Sequence, residues 1–273
     1  MSTYKTNAII LKIKDLGEYD QLVTLYAQEF GKIIVKAKST KKQTAKLANQ
    51  LSLFNLVNVR LAQGKTLDTI ASVFILESFT SIKKNLAVAA TAFCFIDLID
   101  KFITGQQPDR QLWQLLNNAL RHLNELNTAT IPAKLHLALA VFQIRLLQII
   151  GQHPELDHCC ICQTSLVGNK NFCSLPTERR QPISQNHIFS SGHSGFICLQ
   201  CDKANTQAST IRQITTSQII NLWQELADPK NKRITFKIHL SQLKELNKIL
   251  NDFLSYQSSQ HLQSLAFYRK ITS

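Results

Sequence analysis

Six of the seven cysteines fall between His158 and Cys201. Five of these six form two groups, Cys159-Cys160-Ile161-Cys162 and Cys198-Leu199-Gln200-Cys201, and Cys173 stands apart. Two residues between a pair of thiols let both sulfurs turn toward one centre. Two such knuckles supply the four soft thiolates that suit tetrahedral Zn²⁺. The spacing therefore predicts a structural zinc on Cys159, Cys162, Cys198 and Cys201. The 35 residues between Cys162 and Cys198 exceed the roughly 15–20 of an ordinary ribbon. An inserted loop is expected, and Gln181 to Ser194, with Pro182, Gly192 and several serines, reads as that loop. Cys160 and Cys173 are alternative ligands, and His153, His158, His187 and His193 lie close enough in sequence to compete.

Other chemistries fit these residues less well. Disulfides need an oxidising compartment, and no secretory leader is expected, because Ala8 to Leu11 reads as too short for the apolar core of one. A zinc deaminase pairs H-x-E with a later P-C-x-x-C. Here only three residues separate Glu155 from Cys159, and His158 stands where the proline belongs. No nucleophile elbow and no metalloprotease helix motif is present. Asp97 and Asp100, three apart on a helix, read as an exposed face or a salt-bridge site. Cys94 reads as a small buried hydrophobe. An enzyme is not indicated.

The charge balance points outward. Thirty-one Lys plus Arg stand against 18 Asp plus Glu, a net charge of +13 in 273 residues. Such an excess acts on partners rather than on fold, and polyanions are the natural class. The first eighty residues concentrate Lys32, Lys36, Lys38, Lys41, Lys42, Lys46, Arg60 and Lys65. Lysines dominate the set, which suits neutralising phosphates more than bidentate reading of base edges. These eight residues are the predicted nucleic-acid contacts.

The elements that must position them follow from periodicity. Ala8–Lys14, Leu22–Ala27, Lys32–Lys38, Phe54–Leu61 and Leu67–Phe74 read as strands. On the third, Ile33, Val35 and Ala37 share one face, and the lysines share the other with Ile34. Gln63-Gly64-Lys65 marks a hairpin. Five short strands suggest a small barrel, for which the OB-fold is the common choice. Beyond Glu77 the spacing turns helical, over 82–103, 111–126, 133–150, from Thr216 to Asp228-Pro229, and from Leu240 to Leu254. Two long apolar stretches do not read as membrane spans, because Asp97, Asp100 and Lys101 break Leu86 to Thr104, and Ile131 to Ile150 carries Lys134, His136 and Arg145. The expectation is a cytoplasmic α+β protein, with an OB-fold over residues 1–80 and a helical domain over 81–273. Residues 152–205 form its cysteine-bearing, zinc-ribbon-like insertion.

Taken in order, several segments together resemble the RecO family of bacterial recombination mediators. They are Gly17-Glu18-Tyr19-Asp20, Thr24-Leu25-Tyr26, Gly31-Lys32, Lys36-Ala37-Lys38-Ser39-Thr40-Lys41-Lys42, and Leu51-Ser52-Leu53-Phe54. The hairpin Gly64 to Ile70, then Glu155-Leu156-Asp157 and Leu262-Gln263-Ser264-Leu265, complete the set. The resemblance implies an N-terminal OB-fold, a helical C-terminal region and a zinc-ribbon-like insertion. It also implies binding of single- and double-stranded DNA, annealing of complementary strands, and help for RecA in replacing single-strand-binding protein, with RecR as partner. The competing reading from the residues alone is a zinc-ribbon adaptor whose basic surface serves an acidic protein.

Overall fold

Alternation in the first third of the chain becomes a two-sided sheet with one dry face. Ala8 and Ile10, Val23, Leu25 and Ala27, Ile33, Val35 and Ala37, and Val57, Val59 and Leu61 recur at a period of two and fill one buried cluster. The computed structural model describes residues 2–40, 50–126, 131–166, 186–204, 211–228, 238–258 and 262–272. Their carriers are β1 (Thr3–Leu16), β2 (Asp20–Ala27), β3 (Gly31–Ala37), β4 (Leu56–Ala62) and β5 (Thr69–Glu77). The order β1-β2-β3-β5-β4 closes into a barrel, because β1 pairs with both β2 and β4. A shift in register between Ile10 and Lys12 bends this long strand from one partner to the other. The β3–β5 seam is the thinnest, with the single parallel pairing of Lys36 and Thr69. On β5 the inward residues Ile70 and Val73 are three apart, because a bulge at Arg60/Leu61 inserts one residue. The five-stranded expectation holds.

Helices α1 (Thr80–Lys84), α2 (Leu86–Phe102) and α3 (Arg110–Glu125) follow the barrel, and the C-terminal helix α8 (Gln263–Thr272) joins them. Side chains start two of them. Asn85 Oδ1 accepts from the Ala87 and Val88 amides at 3.0 and 3.2 Å, and Asp109 Oδ1 from those of Gln111 and Leu112 at 2.7 and 3.0 Å. Trp113 of α3 stacks on Tyr26 of β2 with centroids 6.4 Å apart. Gly31 opens β3 at φ +66°, and a Cβ there would run into the backbone carbonyl of Gln107. Only glycine suits that turn.

By compactness the chain forms two units, residues 1–131 with 262–273, and residues 132–261. The texture of the sequence changes near residue 80, yet α1–α3 and α8 pack in the unit of the barrel. Trp113 on Tyr26 and Asp100 with Lys32 join helices to barrel strands, and α8 is held to α2, where Ser264 donates to Asp97 Oδ2 at 2.6 Å.

The second unit holds α4 (Ile131–Ile149), β6 (Asn186–Ser190), β7 (Gly195–Cys198), α5 (Leu199–Ala204), β8 (Arg212–Thr216), α6 (Ser217–Ala227) and α7 (Leu240–Ser258). Its strands form an antiparallel sheet in the order β7-β6-β8. The expected loop from Gln181 to Ser194 needs correction, because Asn186–Ser190 is a largely buried strand; residues 181–185 lie outside the described residues. Phe189, Phe196, Trp223 and Phe253 make one aromatic cluster behind this sheet. Arg145 and Gln148 of α4 donate to the Ala227 carbonyl at 3.0 and 2.8 Å, satisfying a group the end of α6 leaves open. Among the described residues no helix is long and apolar enough to cross a membrane.

Candidate functional site

The first knuckle is a hydrogen-bonded turn. Glu155 Oε1 accepts from the Asp157 and His158 amides at 2.8 and 3.0 Å. The Cys159 amide donates to Thr164 O and the Gln163 amide to Cys159 O, both at 2.9 Å. The Cys160 amide donates to Phe196 O at 3.0 Å, so β7, which ends at Cys198, is tied to the first knuckle. Gly195 lets the two pieces meet, because a Cβ there would lie 2.6 Å from Cys160 Sγ and 2.7 Å from Glu155 O.

This scaffold brings together the four predicted sulfurs. Cys159, Cys162, Cys198 and Cys201 place their Sγ atoms within 4.8 Å of one another. Cys162 Sγ and Cys198 Sγ are 3.9 Å apart. A tetrahedral ion with bonds of about 2.3 Å to sulfur needs S···S edges of about 3.8 Å, so the set could hold one metal ion. The backbone adds donors suited to thiolates, since the Cys198 amide points at Cys159 Sγ at 3.4 Å and the Cys201 amide at Cys198 Sγ at 3.5 Å.

The four thiols also constrain one another. Hydrogen bonding from the Cys198 thiol, against the effect of burial, pulls the Cys159 thiol down to about 4. Cys198 is pushed well above the usual thiol range by that same bond and by burial, and Cys201 is raised chiefly by burial. Four ionised sulfurs at this spacing repel strongly unless a cation sits among them.

Among the described residues, the alternative ligands lie outside the cluster of four. Cys160 stays outside the cluster and burial pushes it up to about 11. His187 bonds Ser217 Oγ at 3.1 Å, His193 bonds Ser190 Oγ at 2.9 Å, and His158 sits 3.7 Å from Glu155. Cys173 lies outside the described residues.

The basic set is scattered more than strand alternation suggested. Lys32 Nζ lies 2.8 Å from Asp100 Oδ1 and also donates to the carbonyls of Asp100 and Ile103. Those three acceptors match the three protons of its ammonium group. Lys36 pairs with Asp20 Oδ2 at 2.8 Å, and Asp20 Oδ1 accepts from the Ser39 amide at 2.8 Å. Those two bonds, Lys36 first, hold the Asp20 carboxyl below the usual carboxylate range. They fix the chain where it leaves β3 for the lysine-rich segment. Lys38, Arg60 and Lys65 are exposed, while Lys41, Lys42 and Lys46 lie outside the described residues.

Lys5 lies outside the predicted set. It is exposed on β1 and is the direct cross-strand partner of Arg60. The odd-numbered outward positions of β1 carried that clue.

Known proteins match along the whole of this architecture. Residues 1–79 fit the family described as Recombination protein O N terminal, and residues 84–266 fit Recombination protein O C terminal. Several similar curated proteins are named DNA repair protein RecO. That of Dehalococcoides mccartyi strain 195 is 30% identical over 243 residues, covering 89% of this chain and 86% of its own length. That of strain BAV1 of the same species is 32% identical over 222 residues, 81% of this chain and 78% of its own. The Bacillus pumilus protein is 27% identical over 271 residues, 98% and 94% of the two chains.

Proposed function

The chain belongs to the RecO family of DNA repair proteins, and on that premise we propose that it is a cytoplasmic recombination mediator binding single- and double-stranded DNA. The observation that carries the reading is the exit of β3. There exposed Lys38, set by the Asp20 clamp on Lys36 and Ser39, leads into a segment bearing Lys41, Lys42 and Lys46. A net charge of +13 supplies the long-range attraction.

The activity proposed is physical rather than covalent. Neutralising the phosphates of two strands held on one surface lowers their repulsion, so complementary strands anneal. The same proposal includes help for RecA in replacing single-strand-binding protein, with RecR as partner, and the family resemblance supports it. The four cysteines would hold a structural Zn²⁺, whose binding energy becomes folding energy for the knuckle segment.

The test replaces Lys38, Lys41 and Lys42 together by alanine in the full chain. Affinity should fall about equally for unrelated oligonucleotides. The slope of log affinity against log salt should shrink by about 2–3 units, at about 0.7–0.9 per lost contact. An unchanged slope would move the DNA surface elsewhere. An adaptor for an acidic protein would show little salt-dependent DNA retention in the unmodified protein.

A further inference from the structure

The outward face of β1, β4 and β5 carries a pattern the basic segment does not explain. Pairing across these three strands stacks side chains in rows, Lys5 with Arg60 and Ser72, then Asn7 with Asn58 and Phe74. Asn58 Nδ2 donates to Asn7 Oδ1 at 2.8 Å, which places both amides on the same face. Lys5 and Arg60 are both exposed. Like charges directly opposite across a sheet are destabilising, and neither row contains a carboxylate. Lys65 adds a third exposed cation in the β4–β5 connection.

One row away stands Phe74, 62% exposed. Ile75 and Leu76 beside it are 41% and 53% exposed, so the end of β5 is a run of open apolar side chains, and contiguous exposed apolar surface marks an interaction site. Rows two residues apart are about 7 Å from each other, about the reach from a phosphate to the base of its own nucleotide. The face thus offers cations, an amide pair and an aromatic plane in that order. Single-stranded nucleic acid matches it, because its phosphates would relieve the Lys5–Arg60 repulsion and its unpaired bases have free faces to stack. A duplex shares the phosphates but keeps its bases stacked on one another.

We propose that this face is a single-strand contact, in which Lys5, Arg60 and Lys65 take phosphates and Phe74 stacks on a base. The inference rests on the DNA-binding reading above and adds strand preference to it.

The test uses the full chain, a labelled oligothymidylate, and its duplex with oligoadenylate. Phe74→Ala should weaken single-strand binding by about 5- to 150-fold, the range for one stacked base, and leave the duplex nearly unchanged. Lys5→Gln with Arg60→Gln should lower the single-strand salt slope by about 1.4 units. In Phe74→Trp, the added indole fluorescence should be quenched by the oligonucleotide. Unmodified protein that binds with normal salt dependence, while the alanine and double-glutamine variants match it, overturns the proposal and leaves the face to a protein partner. Unmodified protein that retains no oligonucleotide even at low salt overturns the DNA-binding reading itself.

Discussion

Lys32 Nζ stands 2.8 Å from Asp100 Oδ1, and each side chain is only 16% exposed. Burial alone would raise the Asp100 pKa. The hydrogen bond and charge of Lys32, helped by Lys12 at 3.4 Å, outweigh it and hold the carboxyl below its usual range. A carboxylate with a depressed folded pKa adds stability above its unfolded value of about 3.9, and that stability is lost as pH falls through the folded value. Lys32→Met should therefore cost about 1–3 kcal/mol at neutral pH. This is less than the 3–5 of a fully buried pair, because water and Lys12 still reach the carboxylate. The cost should shrink below pH about 4. Urea unfolding across pH measures it. A salt slope for DNA lowered by Lys32→Met would place Lys32 among the phosphate contacts.

The cysteine cluster predicts a division of labour among adjacent thiols. Cys159→Ser or Cys198→Ser should abolish metal content and lower the unfolding temperature, whereas Cys160→Ser should keep about one metal ion per chain. Elemental analysis of the purified variants decides the matter. Metal retained in Cys159→Ser would place a histidine or Cys160 in the ligand set.

A buried polar pair crosses the helices of the second unit. Gln143 Nε2 of α4 donates to Asn251 Oδ1 of α7 at 2.6 Å, and the Asn247 side chain donates to His136 O at 2.8 Å. Gln143→Leu leaves the Asn251 amide without that donor and should destabilise by about 1–3 kcal/mol. Adding Asn251→Leu should recover much of the loss, because two apolar groups no longer strand a polar one. A double variant weaker than the single would show that Asn251 has other partners of comparable value.

Residues with local constraints were the legible ones. Alternation located all five barrel strands, and two C-x-x-C pairs identified the four clustered sulfurs. The spacing of Asp97 and Asp100 suggested ion pairing, and Asp100 does pair. What stayed hidden was nonlocal. Strand periodicity put Lys32 on the outward face, but it could not show that Asp100, 68 residues later, waits there. Helix α8 was overlooked because it is ten residues long and buries only Leu265 and Tyr268. Its assignment to the first unit depends on α2, far earlier in the chain.

The last prediction concerns His153, next to the cysteine module. Its ring meets Trp223 edge-on at 6.4 Å, and its Nε2 is buried without a hydrogen-bond partner. Burial lowers its pKa below the ordinary histidine value, although the Pro154 backbone, Asp157 and Glu155 push the other way. For a base the sign is clear. Below about pH 6.5 the unfolded chain takes up a proton that the folded chain resists. Stability is thus full above pH 6.5 and falls as pH drops toward the folded pKa, by at most about 1.4 kcal/mol per pH unit for one proton. His153→Phe keeps an aromatic ring against Trp223 and removes the titration. Its unfolding free energy should fall less steeply than that of the unmodified protein between about pH 6.5 and 5. His187, also lowered by burial, is present in both proteins, so the difference between the two curves isolates His153. Parallel curves would mean that His153 takes up its proton as readily when folded, through Glu155 and Asp157.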